Sequence, residues 1–199
     1  MTKVEEAYKF TGPNGDVALA DLFHGHSQLI LYHAMYAPEW ETPCKSCSFF
    51  IDQLPKHLEH LNSRDAAFVL VSRAPYEKIA AFQKRMGWNQ YEWLSSNGSD
   101  FNYDFNVTMD EKVKPVEYNF RSKEDMVAKG MEYATRGEQQ GMSVFMKDGE
   151  EIYRSYSMYG RALDHLLTTY GLLDLTPKGR QDKQMGNGVG LGFKYHDEY

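Results

Sequence analysis

The stretch Leu29–Leu54 reads L-I-L-Y-H-A-M-Y-A-P-E-W-E-T-P-C-K-S-C-S-F-F-I-D-Q-L and holds both cysteines of the chain, Cys44 and Cys47. Leu29, Ile30, Leu31 and Tyr32 form an apolar run of strand formers. A Pro-containing loop follows, and C-x-x-C stands where a helix begins. Unsatisfied N–H groups and the positive end of the helix dipole favour an anion in a first turn, so a thiol placed there ionises more readily. Two intervening residues on a helical turn keep the sulfurs within disulfide reach, so that Cys44 can attack and Cys47 can resolve. Lys45 between them adds a cation and should bias the pair towards thiolate.

Working outward, Ala66–Ser72 (A-A-F-V-L-V-S) is a continuous apolar run suited to a strand buried on both faces of a parallel sheet. Strand, dithiol helix and strand then make a crossover unit. Phe50, Leu54, Leu58 and Leu61 recur at helical spacing up to Asn62, with Pro55 predicting a kink or break. After Arg73-Ala74-Pro75, Ile79, Phe82 and Met86 mark a helix that stops at Gly87. Upstream, T-G-P-N-G-D predicts the turn of a short N-terminal hairpin, followed by a helical turn. Trp88 to Val107 is aromatic and turn-rich, suiting a strand and an ordered loop. Residues 108 to 140 read as a polar insertion across one sheet edge, with a helix from about Lys123 to Thr135. Met142–Met146 and Ile152–Tyr156 make a hairpin on Lys147-Asp148-Gly149. Tyr159–Tyr170 predicts a last helix with Leu163, Leu166 and Leu167 inward.

A chain of 199 residues, 42% hydrophobic and 25% charged, suits one domain, here residues 1–175, with a tail over 176–199. That tail is polar and Gly-rich, yet it ends F-K-Y-H-D-E-Y, an aromatic end suited to docking. A net charge of −6 without a basic run argues against a nucleic-acid partner. The N-terminus lacks an apolar signal region and no apolar span has membrane length, so a cytoplasmic protein without a membrane partner is expected. In a reducing compartment two cysteines at this spacing suit redox catalysis or metal binding better than a structural disulfide.

The order of elements resembles the thioredoxin-like superfamily: an α/β fold, in a peroxiredoxin-like variant, with a central mixed sheet flanked by helices. More closely, the chain resembles the bacterial family catalogued as domain of unknown function 899. The matching text runs through most of the chain: Y-K-F-T-G-P-N-G, L-A-D-L-F, Q-L-I-L-Y-H-A-M, C-K-S-C-S-F-F, L-V-S-R-A-P, M-G-W, G-S-D-F-N-Y-D-F, S-V-F, Y-G-R-A-L-D and Y-G-L-L-D-L-T-P-K-G-R. The resemblance implies a thioredoxin-like fold and assigns the dithiol to Cys44 and Cys47. Two departures stand out. Thioredoxin-like folds usually place a cis-proline before the first strand of the hairpin, where this chain reads Q-Q-G-M-S-V. Peroxiredoxins present P-x-x-x-T-x-x-C, whereas Pro38 and Thr42 precede Cys44 at a spacing one residue short.

The first functional reading is a thiol-disulfide oxidoreductase acting on a disulfide-containing protein or small molecule, with no cofactor required. Two small buried apolar residues would be the structural alternative for the cysteines. A soft-metal site is the competing reading, because thiolates suit copper or zinc; His33 and His196 would complete Cys44 and Cys47 in a copper-binding protein or copper-dependent oxidase. A peroxiredoxin-like peroxidase is a minor alternative, and a non-catalytic interaction domain another. Trp40 and Arg73 are candidates for a substrate pocket, Arg73 because it follows a strand at the sheet's C-terminal edge. His57 and His60 read as a solvated helix face and His24 and His26 as a surface turn. The run G-N-G-V-G-L-G reads as a linker, since it neither follows a strand nor opens a helix. A homodimer is compatible with all of these readings.

Overall fold

The computed structural model describes residues 1–181 and 192–199; the Gly-rich linker reading falls almost wholly on residues outside that set. In chain order the strands are β1 (Thr2–Lys3), β2 (Lys9–Gly12), β3 (Gly15–Ala18), β4 (Gln28–His33), β5 (Ala66–Ser72), β6 (Glu92–Ser95), β7 (Thr108–Met109), β8 (Glu117–Tyr118), β9 (Arg121–Ser122), β10 (Gly137–Glu138), β11 (Gly141–Asp148) and β12 (Glu151–Tyr159). The α-helices are α1 (Lys45–Ile51), α2 (Glu59–Asn62), α3 (Tyr76–Met86), α4 (Phe101–Asp104), α5 (Lys123–Ala128) and α6 (Thr168–Leu173). Among the described residues no helix is long and apolar enough to cross a membrane.

Eight strands form one mixed sheet in the order β1-β12-β11-β4-β5-β6-β2-β3. The centre is parallel, β4 beside β5 and β5 beside β6, and the hairpin β11–β12 joins antiparallel to β4. Every residue of β5 is buried because helices and loops cover both faces, which is why its sequence is apolar without alternation. On β4 the two-residue period of a strand divides neighbours between two cores. Tyr32 packs on one face with Phe50, Phe68, Leu70, Ile79, Phe82, Trp93 and Tyr170. Leu29 and Leu31 pack on the other with Phe10, Val69, Leu94, Phe101, Phe105, Met126 and Phe145.

The break expected at Pro55 is present: α1 ends at Ile51 and helix resumes only at Glu59. Other elements differ from the sequence reading, for local reasons. The helix expected over 123–135 splits into α5 and a 3₁₀ turn at Glu132–Thr135, separated at Gly130, whose φ of 68° lies in the left-handed region. Tyr159–Tyr170 is not one helix: Tyr159 ends β12, a 3₁₀ segment runs over Gly160–Leu166, and α6 follows. The insertion of residues 108–140 lies over a face of the sheet and not along its edge, since Met109, Val116, Tyr118, Met126 and Ala134 join the second core.

Candidate dithiol site

Cys44 is the residue before α1, held where the loop closes back on the sheet: its N–H donates to the Met35 carbonyl at 2.9 Å. The Ser48 N–H and hydroxyl both donate to the Cys44 carbonyl, at 3.0 and 3.1 Å, which fixes the first turn. Cys44 is partly exposed and Cys47 is 1% exposed. One helical turn therefore leaves one cysteine partly exposed and buries the other.

The two thiols differ in acidity for stated reasons. The Cys44 thiol is lowered to about 6, first by a hydrogen bond from Cys47, with burial opposing and the Cys47 and Ser46 backbone N–H groups assisting. Burial pushes the Cys47 thiol up, and the neighbouring Cys44 adds to that. Both shifts favour the anion on Cys44 and the proton on Cys47. Lys45 turns away from the sulfurs: its ammonium lies 2.9 Å from Glu198 and over the Tyr195 ring. The effect expected of Lys45 comes instead from Cys47 and the backbone.

Three residues not anticipated from sequence complete the surroundings of Cys47. The Met35 N–H donates to its sulfur at 3.3 Å. The Tyr32 hydroxyl donates to Gln140 Oε1 at 3.1 Å, and Cys47 Sγ lies 3.9 Å from the same oxygen. Gln140 occupies the position before β11 where no proline was found in the sequence, and all described peptide bonds are trans. The register pairing Tyr32 with Met142 brings Gln140 beside the dithiol; this pairing of distant strands left no local signal in the sequence.

The histidines expected to complete a metal site do not join the cysteines. His33 follows Tyr32 and so points to the opposite face, where its ring stacks on Phe101 at 5.5 Å and Nε2 lies 2.9 Å from Ser143 Oγ. Burial lowers His33 to about 3. His196 Nδ1 bonds to Asp52 at 2.6 Å. Among the described residues no three His, Cys, Asp or Glu side chains are grouped to hold a metal.

Arg73 Nη1 pairs with the buried Glu138 at 2.8 Å and its guanidinium lies over the Tyr103 ring. Its charge is thus directed to a carboxylate inside the fold. Trp40 packs beside the core that holds Cys47, and its carbonyl, with that of Pro38, receives the Lys78 ammonium. His57 is exposed, and His24 bonds to Glu92 on the surface.

The aromatic C-terminal end lies against α1 and α3. Phe193 stacks on Phe49 at 3.6 Å, the Tyr195 hydroxyl donates to the Pro43 carbonyl, and Asp197 pairs with Arg85 at 2.8 Å.

The sequence pattern of the family described as "Bacterial protein of unknown function (DUF899)" matches residues 1–199, and the chain belongs to that family. No curated protein matches it. Among solved structures it is similar to the peroxidoxin BcpB of Mycobacterium tuberculosis, at 15% identity and TM-score 0.51, covering 85% of this chain and 96% of that one. It is also similar to a cysteine mutant of PrxQ from Xylella fastidiosa, at 14% identity and TM-score 0.50, covering 86% and 97%. At that identity the likeness establishes the fold, which is the expected thioredoxin-like fold in its peroxiredoxin-like variant.

Proposed function

We propose that this DUF899 chain is a thiol-disulfide oxidoreductase in which Cys44 is the nucleophile and Cys47 the resolving thiol. The observation that carries the reading is the division of roles within one helical turn. The accessible Cys44 is the acidic thiol, and the proton is kept on Cys47 behind it. A thiolate attacks a disulfide sulfur, so acidity and exposure must coincide on one residue.

The Cys44 thiolate attacks R–S–S–R′, forming Cys44–S–S–R and releasing R′S⁻. The Cys47 thiolate then attacks the Cys44 sulfur, forming the intramolecular disulfide and releasing RS⁻. Two electrons pass from the dithiol to the substrate, which is a protein or small-molecule disulfide. Trp40, packed against the core beside this helix, supplies apolar surface for the substrate. Arg73 contributes through the Glu138 pair, by holding the insertion to the sheet, and not through an anionic substrate.

The names of the structural neighbours bring a peroxide oxidant into the same scheme. There Cys44 would take one oxygen to become a sulfenic acid, releasing ROH, and Cys47 would condense with it, releasing water. A copper or zinc reading retains the two thiolates but loses its histidines, because His33 faces the opposite core and His196 is bonded to Asp52.

The test uses the reduced chain mixed with an aromatic disulfide, with thiolate release followed optically. The wild type should release two thiolates per chain, Cys47→Ser one with the adduct retained on Cys44, and Cys44→Ser none. Full release by Cys44→Ser would overturn the assignment.

A further inference from the structure

We infer that Tyr32 is a catalytic residue of the resolving step: its hydroxyl turns from Gln140 to the Cys47 sulfur when that thiol loses its proton, and Gln140 positions it. The inference rests on the oxidoreductase reading and adds the group that makes Cys47 competent.

The need arises from burial. Cys47 is enclosed, and a thiolate in such a place requires donors to replace water. The resting dithiol satisfies Cys47 through its own proton, which Cys44 and Gln140 can accept. Once Cys44 has entered a mixed disulfide, its sulfur is no longer an anion. Cys47 must then ionise in place, and the Met35 N–H supplies one donor at 3.3 Å.

Tyr32 supplies the second. Its hydroxyl donates to Gln140 Oε1 at 3.1 Å, the same oxygen that lies 3.9 Å from Cys47 Sγ, so hydroxyl and thiol converge on one acceptor. The ring cannot move to make the exchange, since it is fully buried and stacks on Phe50 at 4.4 Å. Rotation about the C–O bond alone redirects the hydrogen. Gln140 is held from behind, its carbonyl accepting the Tyr118 hydroxyl at 2.8 Å. The titratable groups around Cys47 are Cys44 just before α1, Tyr32 on β4 and Tyr118 on β8.

In the balanced step, the Cys47 proton is lost to water. The Cys47 thiolate bonds to Cys44, the Cys44–S–R bond breaks, and RS⁻ leaves with the electron pair. Tyr32 stays protonated throughout.

Stopped-flow release from an aromatic disulfide separates attack, the first thiolate, from resolution, the second. Tyr32→Phe should leave the first phase unchanged and slow the second about tenfold, as expected for one lost hydrogen bond to an anion. The pH midpoint of its second phase should move upward. Gln140→Met, at a half-buried position, should slow the second phase less and in the same direction. A second phase of unchanged rate and unchanged pH midpoint in both variants would overturn the role of Tyr32 while leaving the oxidoreductase reading intact. Absence of any release by the wild type would instead remove that reading and, with it, this one.

Discussion

The hydroxyl of Tyr195 donates to the carbonyl of Pro43 across 2.6 Å, so the last turn of the chain is tied to the residue that precedes Cys44. The same segment places Glu198 on Lys45 and Asp197 on Arg85. These exposed ion pairs add little stability by themselves, whereas the buried ring of Tyr195, edge-on to Phe82 at 5.1 Å, anchors the segment.

Tyr195→Phe keeps that ring and removes one buried hydrogen bond. A loss of about 1 kcal/mol is expected, read as a fall in Tm of roughly 2–4 °C for a domain of this size. The Pro43 carbonyl, released, loosens the loop before Cys44, so alkylation of Cys44 should become faster. Differential scanning calorimetry and timed alkylation check both.

Cys44 reactivity should follow pH with a midpoint near 6, because thiolate is the reacting form and the thiol is lowered to about 6. Below that midpoint the rate falls; above it the rate reaches a plateau. Removing the Cys47 hydrogen bond takes away the largest stabilisation of the anion, so in Cys47→Ala the midpoint should rise. Iodoacetamide rates between pH 4 and pH 10 decide the sign.

His33 gives the fold a sensitivity to acid. Folded, it stays neutral down to about 3; unfolded, it binds a proton below about 6.5. Between those values the unfolded state holds more protons, so stability is lost as pH falls from about 6.5 towards 3, at up to roughly 1.4 kcal/mol per pH unit. His33→Leu should flatten the urea-midpoint profile across that window while leaving dithiol reactivity unchanged, since the ring lies on the other face of the sheet.

Much of the scaffold was legible because it rests on local signals. The unbroken apolar run at Ala66–Ser72 marked the central strand, Asp148-Gly149 marked the hairpin between β11 and β12, and Ile79, Phe82, Met86 and Gly87 marked α3 with its left-handed stop. The C-x-x-C spacing marked the one turn where two thiols meet. What escaped depended on contacts across the chain. Gln140 reaches Cys47 only through the pairing of β11 with β4. His33, a ligand candidate in the metal reading alone, is sent to the other core by the side alternation of β4, fixed by Tyr32 against Phe50. Charge next to a cysteine in sequence was also misleading, because Lys45 finds Glu198 from the far end of the chain.

Gly141 begins the strand that carries Gln140 to the site. A Cβ there would meet the Tyr159 ring at 2.8 Å and Val107 at 3.1 Å. Gly141→Ala should therefore destabilise the fold by about 1–3 kcal/mol, the cost of overpacking, and should slow the second thiolate release by displacing Gln140. Urea denaturation and the stopped-flow assay test the two effects separately.

The central claim is that Cys44 and Cys47 form one redox pair, and the mass of the intact native chain tests it most directly. Protein purified without reductant or chelator should be lighter by about 2 Da than the fully reduced chain, and a dithiol should reverse the difference. A gain of roughly 60 Da that disappears in Cys44→Ser would show a bound copper or zinc ion and contradict the redox account.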